Sequence, residues 1–175
     1  MTMKILPPGT LAPDFESPLS LLTACHDKVR HFAALSLSLA AHVESRGADR
    51  DAREAASNIL RYFDIAAPLH HADEEEDLFP ALRALGEPAL DRAIDELEAE
   101  HRSLAGLWQS VRLWLTAIDR GEAAPRPDEL EGFARLYPAH AAREEAEVYG
   151  AAKRLSAAEL AGIGARMRQR RGAKD

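Results

Sequence analysis

The sequence of 175 residues lacks several features that mark common protein classes. Its single cysteine, Cys25, excludes an internal disulfide and a cysteine-rich metal knuckle. No apolar run approaches the roughly 20 residues that a membrane span needs, and residues 1–17 do not resemble a signal peptide. Positive charge is also scarce, because 22 Lys and Arg stand against 29 Asp and Glu. We therefore expect a soluble, cytoplasmic protein with neither a nucleic-acid nor a membrane partner.

Proline and glycine are confined to the N-terminal region and a few internal points, and long segments lie between them. These segments are rich in Ala, Leu, Glu and Arg, which favour helices, and they hold almost no β-branched runs. The capping box Ser156-x-x-Glu159 is typical of a further helix start. We predict that this shorter helix follows four long helices, at 18–46, 49–85, 88–120 and 127–154.

Short connections between long helices favour antiparallel neighbours. The predicted fold class is therefore all-α, an up-down-up-down four-helix bundle over residues 18–155. Residues 1–17 are predicted to form an extended arm, and residues 156–175 a C-terminal helix and tail. The basic residues of this tail are expected to be solvated: Arg166, Arg168, Arg170, Arg171 and Lys174.

The chain also contains an internal repeat. Residues 68–79 recur 70 residues later as residues 138–149, with the Pro, the first His, one Ala and two Glu identical. An Ala-x-His match, 75 residues apart, aligns His26 with His101. Each half is therefore a helical pair with one His on its first helix and His-x-x-x-Glu on its second. These second-helix residues are His70 with Glu74 and His140 with Glu144.

Helical periodicity places these six side chains on buried stripes. The residues four and seven positions before His26 and His101, and three and seven positions after them, are apolar. So are the residues one and two turns before the second-helix histidines. Both glutamates are followed four positions later by an apolar residue. His31 and His42 lack such neighbours and are predicted to lie on or near the surface.

The same helix offers a second His-x-x-x-Glu pair. His71 and Glu75 stand four apart, one position further round, and could supply the ligands instead. Because position 71 aligns with Ala141, only the first register recurs in both halves. Glu75 and Glu145 are therefore interpreted as outer or solvated acids, and whether Glu75, Glu145 or His71 replaces a predicted ligand stays open.

Four imidazoles and two carboxylates in a helical core indicate a metal site. Burying such groups costs several kcal/mol each unless partners satisfy them, and metal ions are such partners. Residues four apart on a helix face one site, so two copies on facing helices make an N4O2 set. Glu74 and Glu144 can then bridge two ions. This donor set without thiolate suits Fe, Mn or Zn.

The motif His70-x-x-x-Glu74-Glu75-x-x-Leu78-Phe79-Pro80, with its second copy, resembles the hemerythrin-like (HHE cation-binding) family over about residues 18–155. The resemblance implies a four-helix bundle that holds two iron ions with an oxo or hydroxo bridge. Zn or Mn are possible substitutes. It implies the terminal ligands His26, His70, His101 and His140, and the bridging carboxylates Glu74 and Glu144.

One position departs from the oxygen-carrying hemerythrins. These proteins have a second His four residues after the one on their third helix, where this chain has Ala105. The pattern is closer to the four-His, two-Glu sites of bacterial proteins implicated in repairing iron centres after nitrosative damage, although we do not expect their additional N-terminal domain in this sequence. We expect one more coordination position to be open to a ligand.

The resemblance implies a protein that binds or reduces O2, NO or peroxide, in a response to oxidative or nitrosative stress. Phe63, Trp108 and Phe133 are expected to shelter the site. The alternative is a module that stores, donates or senses iron without turnover, and a ferritin-like oxidase is disfavoured because Glu-x-x-His occurs only at Glu98. Pro68 and Pro138 are predicted to kink or split their helices.

Overall fold

The computed structural model describes residues 15–172, and every regular element in that range is helical. The all-α prediction is therefore confirmed, whereas most of the predicted arm, residues 1–17, lies outside the described residues. Two π-helical turns, Tyr62–Ala66 and Glu74–Leu78, join α2, α3 and α4 into one helical segment. The α-helices are α1 (Pro18–Arg46), α2 (Arg50–Arg61), α3 (Ala67–Asp73), α4 (Phe79–Arg83), α5 (Pro88–Asp119), α6 (Leu130–Glu147), α7 (Tyr149–Ala152) and α8 (Ala157–Arg170).

Local sequence explains the helix ends. Pro18 and Pro88 occupy the first positions of α1 and α5, where a missing backbone N–H costs nothing. The Asp49 carboxylate accepts a hydrogen bond of 2.9 Å from the Ala52 N–H and caps α2. The capping box predicted at the start of α8 is present. The fourth predicted helix was too long, because α6 begins at Leu130 and ends before Val148.

The long helices form a bundle. Helix α1 packs against α2 and α6, and α5 packs against the same two helices from the other side. The predicted four-helix bundle is therefore confirmed. Helix α8 lies across α1, α3 and the second π turn. Among the described residues, no helix is both long and apolar enough to cross a membrane.

Each π turn ends two residues before a proline. Pro68 follows the first π turn and Pro80 follows the second. A proline ring clashes with the carbonyl group four residues earlier, and here that carbonyl belongs to the wider π turn. The predicted interruption at Pro68 is therefore present. At Pro138, where a kink or a split was predicted, the helix does not split, because α6 continues through this position as one α-helix.

The interior contains two separate apolar clusters. Val29, Leu104 and Tyr137 belong to the first cluster, which also holds Phe63, Trp108 and Phe133. Leu22, Leu97 and Val148 belong to the second, which also holds Leu78, Phe79 and Ile94. Along α1, α5 and α6, a predicted ligand lies between a member of one cluster and a member of the other. A belt of polar side chains therefore crosses the middle of the bundle.

The basic residues of α8 do not all face solvent. Arg170 Nη1 lies 2.5 Å from Asp73 Oδ1, and Arg171 Nη2 lies 2.5 Å from Asp73 Oδ2. Asp73 is fully buried, and Arg166 and Arg170 also pair with buried Asp77. The expectation of a solvated tail is therefore wrong for Arg170 and Arg171, whereas Arg166 is exposed. The reason is that Asp73 of α3 and Asp77 of the second π turn face α8 and are buried beneath it.

Candidate metal centre

The six predicted ligands meet in the polar belt. All are buried, with between 0% and 4% of their surface exposed. The ligand atoms of four of them, namely His26, His70, Glu74 and Glu144, lie within 4.8 Å of one another. The side chains of His101 and His140 approach the same carboxylates from α5 and α6. The structure thus brings all six together, and their role as ligands stays a prediction.

Glu144 lies at the centre of the group. Its Oε2 atom is 3.0 Å from His26 Nε2. Its Oε1 atom is 3.2 Å from His101 Nε2 and 2.9 Å from His140 Nε2. One carboxylate therefore contacts imidazoles on both sides of the belt, which is the position that a bridging ligand requires.

Glu74 occupies the matching position on the second π turn. Its Oε2 atom lies 3.5 Å from His70 Nε2 and 3.7 Å from His101 Nε2. The Nε2 atoms of His70 and His26 are 3.0 Å apart. The centre therefore has two halves, with His26 and His70 in one and His101 and His140 in the other.

Carboxylates outside the centre hold three of the histidines. In each case the outward Nδ1–H donates to a glutamate, which leaves the Nε2 lone pair directed inward. Such outer carboxylates orient metal-bound imidazoles and raise their basicity. The pairs are His26 with Glu145 at 2.9 Å, His101 with Glu75 at 2.6 Å, and His140 with Glu100 at 2.8 Å. Glu75 and Glu145 thus lie where outer acids were predicted.

Sequence reasoning missed Glu100. This residue directly precedes His101 but serves His140 on a different helix, and its repeat mate is Cys25. Arginines hold two of the outer carboxylates in turn. Arg30 Nη2 lies 2.9 Å from each oxygen of Glu145, and Arg143 donates to Glu100.

The charge state of the centre follows from its burial. Burial raises the pKa of Glu144, but the imidazoles of His101, His140 and His26 outweigh this and hold it well below its usual value. Burial, followed by the charge of Glu144, raises the pKa of Glu74 well above its usual value. Burial lowers the pKa of His70 to about 3. A neutral imidazole is the form that binds metal.

The centre contains buried polar atoms without hydrogen-bonding partners, and this feature fits a metal site. Three buried atoms that face the centre have no hydrogen-bonding partner among the described residues: Glu74 Oε2, Glu144 Oε2 and His140 Nε2. Glu144 Oε2 lies 3.0 Å from His26 Nε2, and His140 Nε2 lies 2.9 Å from Glu144 Oε1. Both pairs are close enough for a contact but lack hydrogen-bond geometry. Buried polar atoms without partners are costly, and cations would satisfy all three. Imidazole nitrogen and carboxylate oxygen suit Fe, Mn or Zn.

Two further polar side chains reach the centre. The hydroxyl of Tyr149 donates to Glu74 Oε1 at 2.6 Å and lies 3.3 Å from His26 Nε2. The repeat aligns Tyr149 with Phe79, so the sequence indicated an aromatic ring but not its hydroxyl contact. His71 stacks on the His101 ring, with centroids 3.9 Å apart. It was considered only as an alternative to His70, whereas the structure places both histidines beside the centre.

A surface groove of about 520 Å³ reaches the centre from solvent. His71, His101 and Ala105 lie in its wall, together with Phe63 and Trp108. Two of the three predicted sheltering aromatics, Phe63 and Trp108, thus line the groove, whereas the ring of Phe133 packs against Phe63 with centroids 4.8 Å apart.

The two histidines that were predicted to lie on or near the surface are away from this groove. His31 is exposed, and His42 is half-buried and contacts Asp49 at 2.9 Å.

Comparison with known proteins agrees with this geometry. A protein of Haemophilus influenzae, described only as uncharacterized, is 34% identical over 174 residues, which cover 99% of this chain and 100% of that protein. The sequence model of the hemerythrin HHE cation binding domain matches residues 17–152, a range that contains all six predicted ligands. The chain therefore belongs to the hemerythrin HHE cation-binding domain family.

Proposed function

We propose that this protein holds two iron ions in the polar belt and uses them to bind or reduce O2, NO or peroxide in the cytoplasm. The observation that carries the proposal is the convergence of four buried imidazoles on two buried carboxylates, each of which contacts both halves of the centre. Iron would supply one-electron chemistry and an affinity for small diatomic ligands. The physiological role would be a response to oxidative or nitrosative stress.

The protein's own residues provide selectivity. The groove beside His101 is large enough for a small molecule, and the rings of Phe63 and Trp108 line it. Burial and the nearby Glu74 carboxylate raise the pKa of Tyr149 well above its usual value, so its hydroxyl keeps its proton. This hydroxyl is therefore a hydrogen-bond donor at the edge of the centre.

The alternative of an iron donor without turnover requires ligands that release metal readily. The burial of all six predicted ligands and the outer carboxylates on three histidines argue against rapid release. A metal loss rate measured with a strong chelator distinguishes the two functions. Loss within seconds would favour iron donation, and retention over hours would favour a resident centre.

The direct test begins with elemental analysis of protein purified without added metal. We expect about two irons per chain, and we expect His70→Ala and Glu144→Ala to lose bound metal, because each leaves buried donors unpaired. His31→Ala is the matched control, because His31 is exposed. The iron-loaded protein should then change its optical spectrum with O2, NO or peroxide. An absence of iron, or of any spectral change with all three ligands, contradicts the proposal.

A further inference from the structure

A continuous chain of packed rings leads from Trp108 to the predicted ligand His101. Trp108 lies against Phe63, with ring centroids 5.1 Å apart, and Phe63 lies 5.0 Å from Tyr137. The ring of Tyr137 is parallel within 11° to that of His71 at 6.3 Å, and His71 stacks on His101 at 3.9 Å. The two ends are also joined by α5, on which they stand seven positions, or about 10.5 Å, apart. Packed rings and two turns of helix couple Trp108 to the centre, so an electron can pass between them.

The indole of Trp108 has a proton acceptor in place. Its Nε1–H donates to Asp64 Oδ1 at 3.0 Å, although only 6% of Trp108 is exposed. The guanidinium of Arg112 donates to the same carboxylate at 2.8 Å and 3.1 Å and keeps it beside the indole. Asp64 is 32% exposed and lines the groove that reaches the centre. A proton that leaves the indole therefore has a route to solvent.

Trp114, the other tryptophan of the chain, differs in both respects. It is as well buried as Trp108 and lies on the same helix, but it is thirteen positions from His101, about 19.5 Å along α5. Its Nε1–H has no hydrogen-bonding partner among residues 15–172. Loss of one electron makes an indole N–H strongly acidic, so an indole without an acceptor is harder to oxidise. Trp108 is therefore the tryptophan that is placed to give an electron to the centre.

We infer that Trp108 supplies an electron to the iron centre when peroxide is reduced there, and that Asp64 takes the indole proton. The inference rests on the proposed function. Hydrogen peroxide becomes two waters by taking up two electrons and two protons. When a centre holds a single ferrous iron, that iron gives one electron and becomes ferric, and Trp108 gives the other. The Nε1–H proton moves to Asp64, which leaves a neutral indolyl radical, and two protons from solvent complete the waters.

The second electron decides what peroxide becomes. A single ferrous iron without another donor reduces peroxide by one electron, to hydroxide and a hydroxyl radical that attacks nearby side chains. An electron from Trp108 converts both oxygens to water instead. Trp108 and Asp64 both line the groove, so a small reductant such as ascorbate can return an electron to the indole while Asp64 returns the proton. The pair thus protects the predicted ligands during peroxide reduction.

Electron paramagnetic resonance of frozen samples tests the inference. Protein loaded anaerobically with Fe(II) is first oxidised by one electron per centre with ferricyanide, then mixed with hydrogen peroxide and frozen within milliseconds. We expect an organic radical whose spectrum narrows when the protein is made with ring-deuterated tryptophan and stays the same with ring-deuterated tyrosine. Mass spectrometry of peptides after repeated addition of peroxide should find oxidised indole at Trp108 and not at Trp114.

Three variants separate the roles. Trp108→Phe should lose the radical, whereas Trp114→Phe, the matched control, should keep it. Asp64→Asn keeps the shape of the acceptor but cannot take the proton, so the radical yield should fall severalfold with Trp108 in place.

Full radical yield in Trp108→Phe or in Asp64→Asn, or a signal that responds to labelled tyrosine instead, would overturn the inference. So would the absence of any organic radical in unchanged protein whose iron is oxidised by peroxide, and that result would leave the proposed function intact. A chain that binds no iron, or whose optical spectrum changes with none of the three small ligands, would overturn both.

Discussion

At the scale of single residues, three of the histidines in the centre are held by glutamates that lie outside it. Glu145, Glu75 and Glu100 each accept a hydrogen bond from the outward nitrogen of a histidine. Each bond fixes the tautomer of its imidazole and prevents the ring from rotating away. Arg30 and Arg143 hold two of these acids in place. We therefore expect metal affinity to depend on side chains that are between 32% and 43% exposed.

Glu100→Gln tests this dependence. The amide keeps the shape of the side chain but is a weaker acceptor for the His140 Nδ1–H, so we expect iron affinity to fall about 10- to 100-fold with little change in fold. Glu96→Gln is the matched control, because Glu96 contacts Arg143 at 2.8 Å but contacts no histidine. Equal iron affinity in both variants, measured by competition with a chelator, would show that the outer carboxylate does not act on the metal.

The sequence contained enough information to find the six inward residues, because the internal repeat shows each of them in two matching positions. His70 and His140 could be compared with each other, as could the glutamates that follow them. Glu100 could not be found in this way, because it aligns with Cys25 and serves a histidine of a different helix. Contacts of this kind depend on which helices become neighbours in space, and helical periodicity does not contain that information.

At the scale of elements, the C-terminal helix α8 and the residue after it contact α3, the helix that precedes Glu74. Arg170 and Arg171 of α8 pair with Asp73, which precedes Glu74 by one residue and is fully buried. The sequence analysis expected the basic tail to be solvated. Its pairing with Asp73 becomes evident only when α8 is folded across α3.

Arg170→Ala combined with Arg171→Ala tests this contact. The double variant leaves Asp73 buried without a cation, so we expect the free energy of unfolding in urea to fall by about 3 kcal/mol. Adding Asp73→Asn to the double variant removes the buried charge and should recover part of that loss. If the double variant unfolds at the same urea concentration as the unchanged protein, α8 does not stabilise α3 through these pairs.

The π turns are the element-scale feature that sequence reasoning did not contain. A proline within a helical pattern predicts an interruption, but it does not say whether the chain kinks, breaks or widens. The second π turn begins at Glu74 itself, so the wider backbone helps to set where this carboxylate points. In the other half, the chain departs from the α-helix at Val148, four residues after Glu144.

At the scale of the whole molecule, metal binding should be coupled to folding. The unfolded chain cannot present the predicted ligands together, so any ion bound to the folded state adds stability, about 4 kcal/mol at a free concentration 1,000 times the Kd. We expect the melting temperature in calorimetry to rise with the concentration of free Fe(II) under anaerobic conditions. A melting temperature that stays the same after complete removal of metal would contradict this coupling.

The polar belt also divides the hydrophobic interior into two compartments, one at each end of the bundle. The belt contains buried polar atoms without hydrogen-bonding partners, so we expect the contact between the two compartments to be weaker without cations. Ions that bind ligands from α1, the α3 segment, α5 and α6 at once would join both ends into a single cooperative unit. The metal would then stabilise the whole bundle as well as form its reactive centre.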